Sequence, residues 1–134
     1  MKRDKLLVVD DEKDFVGLIS ERLEAKGFDI LKAFDGKEGL GMAQSQRPDL
    51  IILDVTMPEM NGYDVCRTLK TDENYKHIPI IMLTAKFQPN DIMFGKEMGS
   101  DAYLTKPLEL ELLLNTVNTL LSSQKRKTGL KSYL

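Results

Sequence analysis

The chain has 134 residues, 42% of them hydrophobic and 30% charged, with a formal net charge of -2 and an isoelectric point near 5.5. That balance belongs to one ordinary globular domain with a buried core, and it excludes a fibrous or disordered chain and a basic nucleic-acid binder. The lone cysteine, Cys66, excludes an internal disulfide framework, and no apolar run approaches the roughly 20 residues that span a bilayer, so the expected location is the cytoplasm, with no membrane contact.

Leu6 to Val9 is a continuous apolar run followed by Asp10 and Asp11. It predicts a strand buried on both faces of a parallel sheet, with carboxylates at its C-terminal end. From Asp14 the residues Phe15, Leu18, Ile19 and Leu23 keep helical spacing until Gly27 stops them. Phe28 to Ala33 alternates and suits an edge strand. Asp35, with Glu38 three residues on, opens a second helix as an Asp version of the capping box, and Arg47-Pro48 closes it. Gly39 and Gly41 make that helix weak on propensity.

Leu50 to Leu53 is an unbroken apolar run too short for a helix, and Asp54 ends it. A carboxylate delivered there sits in the crevice beyond the strand ends, where open α/β sheets bind their ligands. One aspartate after one strand more often simply opens a polar loop, so the reading depends on what else converges. Tyr63, Val65, Cys66 and Leu69 form the apolar side of a short helix, in which Cys66 is a small core residue. Ile78 to Leu83 is a fourth buried strand with Pro79 near its start, and Thr84 and Ala85 follow it. Pro89 suits the first turn of a helix holding Ile92, Met93, Phe94 and Met98. Ala102 to Thr105 is a short fifth strand before Lys106-Pro107, and Leu110, Leu113, Leu114, Val117, Leu120 and Leu121 make a final amphipathic helix. Residues 1–122 then form one domain, and 123–134 a tail or the start of a linker whose Lys125-Arg126-Lys127 run is a solvated helix end.

This βα alternation, repeated five times with short connections, calls for a doubly wound parallel sheet with helices on both faces. The strand ends then gather Asp10, Asp11, Asp54, Thr84, Ala85 and Lys106 around one rim. Crowded carboxylates repel one another, which predicts a raised pKa or a bound cation. An all-oxygen set suits octahedral Mg2+ better than zinc, for which His77, before a strand at the opposite edge, and Cys66 are too isolated. Lys106 and the Thr84 hydroxyl remain as donors for a negative group, and a phosphoryl group on Asp54 would supply one, because carboxylates are nucleophiles toward phosphoryl donors.

The chain resembles the receiver (response regulator) domains of two-component signalling, on VVDDE at Val8 to Glu12, LDVTMPEMNG at Leu53 to Gly62, MLTA at Met82 to Ala85 and GSDAYLTKP at Gly99 to Pro107. The resemblance implies a flavodoxin-like three-layer α/β sandwich with five parallel strands in the order 2-1-3-4-5. It implies Asp54 as phosphoacceptor in a phosphorelay, with Asp11, Asp54 and the Thr56 carbonyl as direct Mg2+ ligands and Asp10 holding a metal-bound water. Lys106 would pair with the phosphoryl oxygens, the amides of Thr56 and Ala85 would bind them, and Thr84 with Tyr103 would form the switch pair. A cis Lys106-Pro107 bond is implied as well. The expected partners are a sensor histidine kinase or phosphotransfer protein and an unidentified downstream target, with a homodimer through the fourth helix, fifth strand and last helix as one option.

On this reading the chain is a self-phosphorylating acceptor with slow autodephosphorylation rather than an enzyme, and Lys86 shields the acyl phosphate from water. The rival readings are a small Mg2+-dependent phosphohydrolase and a docking module that never accepts phosphate. Against the first stands Thr56, where a second aspartate would be needed. Departures from the family pattern are Gly41 and Gly95 inside helices and Leu108 where an aromatic is common.

Overall fold

Five short strands lie parallel in a single sheet in the computed structural model, which describes residues 2–85, 96 and 98–133, with side chains of the last helix described through Lys127. The strands are β1 (Lys5–Val9), β2 (Asp29–Ala33), β3 (Leu50–Asp54), β4 (Ile80–Thr84) and β5 (Ala102–Thr105), in the order β2-β1-β3-β4-β5. The helices are α1 (Lys13–Ala25), α2 (Gly36–Gln46), α3 (Gly62–Lys70) and a C-terminal helix, Leu110–Tyr133. The expected α/β sandwich and strand order are therefore present. The helix expected around Pro89 to Phe94, and with it Lys86 and Gly95, lies outside the described residues.

Side chains alternate across a strand, and here that period divides the core into two layers. Leu7, Val9, Ile51, Leu53, Ile80 and Met82 pack with Ala43 of α2 and with Val65, Cys66 and Leu69 of α3. Leu6, Val8, Leu50, Ile52, Ile81 and Leu83 pack on the other face with Val16, Ile19 and Leu23 of α1 and with Leu113, Val117 and Leu121 of the C-terminal helix. Because both faces of the three central strands are covered, their sequences are apolar without interruption. β2 carries exposed Asp29 and Lys32, as an edge strand should.

β1, β2 and β3 differ from expectation by one residue at one end, and three further boundaries differ as well. β4 begins at Ile80 rather than Ile78, because the Ile78 amide closes a turn onto the Tyr75 carbonyl and Pro79 has no N–H to give the ladder, although its carbonyl accepts from Ile51. β4 also extends through Thr84, which pairs with Thr105 of β5. The C-terminal helix continues through residues 122–133 instead of ending near Leu121. Among the described residues no helix is long and apolar enough to cross a membrane.

The glycines of α2 have unequal reasons. A Cβ on Gly39 would lie 2.7 Å from Val9 Cγ1, so this glycine lets α2 sit close on β1, whereas a Cβ on Gly41 would meet open space. At the helix starts, the Asp35 carboxylate accepts from the Glu38 amide at 2.7 Å. The full two-armed capping box belongs to α3 instead, where Asn61 and Asp64 exchange hydrogen bonds of 3.0 and 3.2 Å.

Candidate functional site

The C-terminal ends of β1, β3 and β5 deliver their charged residues to one crater. Asp10, one residue past β1, is fully buried, and its backbone amide continues the ladder to the Ala33 carbonyl at 3.1 Å. One Asp10 oxygen accepts from the Glu12 amide at 3.0 Å and the other from Lys106 Nζ at 2.7 Å. Asp54 is the last residue of β3 and only 4% exposed. Asp11 is exposed. Carboxylate oxygens of Asp10, Asp11 and Asp54 all lie within 4.8 Å of one another.

Lys106 reaches this cluster from the far side of the sheet. Its backbone amide donates to the Thr84 carbonyl at 2.7 Å, and the bond to Pro107 is cis, as the resemblance implied. Its ammonium lies 2.7 Å from Asp10, 3.5 Å from Asp54 and 3.2 Å from Glu12. The ring of Phe15, one turn into α1, lies 4.4 Å away and supplies a cation–π contact.

The loop after Asp54 is drawn against its own strand end. The Val55 amide donates to Leu83 at 2.8 Å and the Gly62 amide to Val55 at 2.9 Å. Gly62 has no room for a side chain, because a Cβ there would run into the Asp54 carbonyl oxygen. The first residue of α3 is thereby seated directly on the end of β3.

Among the described residues one ammonium faces the cluster, and it does not neutralise this many carboxylates. Burial pushes the Asp54 carboxyl up to about 6, the Asp10 charge adds to the shift, Lys106 opposes it, and Asp11 adds again. Burial works against the charge of Lys106, but its hydrogen bond to Asp10 and the Asp54 charge outweigh that and hold its pKa above the ordinary lysine value. An all-oxygen donor set with surplus negative charge is the chemistry that a hard divalent cation satisfies, and Mg2+ needs only one or two protein carboxylates. The residues present therefore fit Mg2+.

Asp10, Asp11, Asp54 and Lys106 are thus brought together. Thr84 is buried at the end of β4, beside the crater. Thr56 and Ala85 are exposed residues on the loops just past β3 and β4. Tyr103 is half-buried, its hydroxyl 3.3 Å from that of Tyr63. His77 is exposed before β4, at the opposite edge. Cys66 is buried, donates to the Met98 carbonyl at 3.4 Å, and has its thiol pushed up to about 11 by burial, as suits a core residue. Glu12, Phe15 and Tyr63 were not singled out from the sequence for these contacts. Glu12 stands inside the VVDDE segment and Phe15 one turn later, so the helix start beside Asp11 was the available signal.

The model of the response regulator receiver domain matches residues 6–118. Protein PilH of Pseudomonas aeruginosa is 37% identical over 118 residues, covering 88% of this chain and 98% of that protein. The alkaline phosphatase synthesis transcriptional regulatory protein PhoP of Bacillus subtilis is 46% identical over 103 residues, which are 77% of this chain but 42% of that longer protein. Among solved structures, chemotaxis protein CheY4 of Vibrio cholerae superposes with a TM-score of 0.84 at 36% identity, covering 89% of this chain and 99% of that one.

Proposed function

The chain belongs to the response regulator receiver domain family of two-component signalling, and from that premise we propose that it accepts a phosphoryl group on Asp54 from the phosphohistidine of a sensor kinase or phosphotransfer protein. The reading is carried by one observation: the half-buried Lys106 ammonium bridges Asp10 and Asp54 at the mouth of a three-carboxylate cluster.

In the transfer, an Asp54 oxygen bonds to phosphorus as the P–N bond breaks, and the histidine ring takes the bonding pair. Asp54 must be ionised to attack, and a pKa of about 6 leaves it mostly so at neutral pH. Mg2+, held by Asp11, Asp54 and the Thr56 carbonyl with Asp10 on a bound water, would neutralise the carboxylates and the oxygens of the transferred group. Lys106, already 3.5 Å from Asp54, is placed to pair with a phosphoryl oxygen, and the amides of Thr56 and Ala85 would donate to the others. Phosphoryl transfer needs this positioning and charge more than covalent assistance.

The added charge then draws the Thr84 hydroxyl inward, and Tyr103 follows. The face formed by β5 and the C-terminal helix is re-presented to a downstream partner or to a second copy. Residues 1–122 act as the receiver body and 123–134 as a tail or linker, of which residues 123–133 continue the last helix. The site of action is the cytoplasm. Autodephosphorylation is slow because Thr56 offers no carboxylate to activate water.

The test is intact-protein mass after incubation with Mg2+ and a small acyl phosphate. One added phosphoryl group, lost in Asp54→Ala and requiring Mg2+, supports the assignment. Steady turnover of a phosphomonoester would favour the phosphohydrolase, and no modification at all would favour a docking module.

A further inference from the structure

Tyr103 is the second residue of β5, where it pairs with Met82 of β4. Side-chain alternation sends Ala102 and Leu104 to the layer containing α1 and Tyr103 to the layer containing α3. Thr84 stands two residues beyond Met82 on β4 and so shares that face with Tyr103. In this layer the Tyr103 ring packs with Tyr63 and Met98 against the core. Its hydroxyl lies 3.3 Å from the Tyr63 hydroxyl, within hydrogen-bond distance in either direction.

Tyr63 is the second residue of α3. The residue before it, Gly62, donates to the Val55 carbonyl and has the Asp54 carbonyl oxygen where its side chain would be. The Tyr63 phenol is therefore mounted on the chain segment that closes over the end of β3. A shift of that segment when Asp54 changes its charge or partner is transmitted to the phenol through a single residue.

We propose that Tyr63 is a positioning residue for the switch: its hydroxyl holds Tyr103 turned toward the α3 layer, giving the Asp54 loop a hold on Tyr103 that does not run through Thr84. The proposal rests on the phosphoacceptor reading above. Removing the Tyr63 hydroxyl while keeping its ring lowers the inward-to-outward ratio of Tyr103 by about 2- to 12-fold, the range that one neutral hydrogen bond supports. Tyr63→Phe removes no charged group, so the charge set of Asp10, Asp11, Asp54 and Lys106 is kept.

The experiment is fluorine NMR of the full chain carrying 3-fluorotyrosine, the Tyr103 signal being assigned by Tyr103→Phe. Wild type and Tyr63→Phe are compared with and without Mg2+ and beryllofluoride. The readout is the H2O/D2O isotope shift of the Tyr103 fluorine, which follows solvent exposure and not merely a changed neighbour. Support is a larger isotope shift in Tyr63→Phe with an unchanged rate of Asp54 phosphorylation by acyl phosphate. An isotope shift equal to wild type in both states overturns the proposal, even where wild-type Tyr103 responds to beryllofluoride and the phosphoacceptor reading stands. If wild-type Tyr103 ignores beryllofluoride but Tyr63→Phe still exposes it, the hydroxyl contact is upheld and the switch role is overturned.

Discussion

Asp54→Asn tests the electrostatics of the crater without changing its shape. In the fold the Asp54 carboxyl is pushed up to about 6 from its ordinary 3.8, by burial first and the charges of Asp10 and Asp11 after it, net of the opposing attraction of Lys106. The folded chain thus holds a proton that the unfolded chain releases between those values. Stability contributed by this site is present below the lower pKa, falls as pH rises through the window, and stays lower above about 6. A displacement of two pKa units corresponds to about 3 kcal/mol at most. Water reaching the open crater reduces it, and an Asn gain of about 1–3 kcal/mol at pH 7.5 is expected, or roughly 4–10 °C in Tm for a chain of this size. Urea and thermal unfolding in excess EDTA at pH 4 to 8 measure it. The gain must vanish toward pH 4. It must also shrink when Mg2+ is added, since a cation at ten times its Kd stabilises the wild type by about 1.4 kcal/mol. An Asn variant no more stable than wild type at pH 7.5, or one whose gain ignores pH, refutes the reasoning.

Lys106→Met leaves the carboxylates without their ammonium, and carbon-detected titration of the Asp54 carboxyl should show its pKa rising above 6; no rise would mean that Lys106 exerts no field at Asp54. In α2 the two glycines should part company in urea unfolding. Gly41→Ala gains about 0.5–1 kcal/mol from helix propensity in open space, whereas Gly39→Ala loses about 1–3 kcal/mol by pressing on Val9. The Cys66 thiol, buried and with a pKa of about 11, should react with an aromatic disulfide reagent at pH 8 only as fast as the chain opens; prompt stoichiometric labelling of the native protein would contradict that burial.

Much of the fold was legible because of one physical habit of parallel sheets. Strands covered on both faces are apolar throughout, so β1, β3 and β4 stand out as short runs, and the polar residue ending each run marks the ligand edge. Asp10, Asp54 and Thr84 follow from that habit alone, Lys106 follows the shorter, half-buried fifth strand, and the roles expected of Thr84 and Tyr103 come from the family resemblance. What stayed hidden depends on packing between distant segments. Lys106 and Asp10 are 96 residues apart, and nothing local to either shows that Glu12 and Phe15 complete the surroundings of the ammonium. Gly39 and Gly41 look alike in the sequence but differ in whether a strand lies beneath them. Tyr63 reads as one more apolar position of α3, and it is the approach of β5 that brings the Tyr103 hydroxyl to its own. The start of β4 was misplaced for a local reason, because the apolar character of Ile78 outweighed the missing donor of Pro79.

The most direct test of the account is an amide NMR map of the protein with Mg2+ before and after beryllofluoride, a mimic of the phosphoryl group. The account predicts that the largest shifts fall at Asp54 to Thr56, Thr84, Ala85 and Lys106, extend to Tyr103, and disappear in Asp54→Ala. Shifts that persist in Asp54→Ala, or that centre on the opposite edge of the sheet around His77, would contradict it.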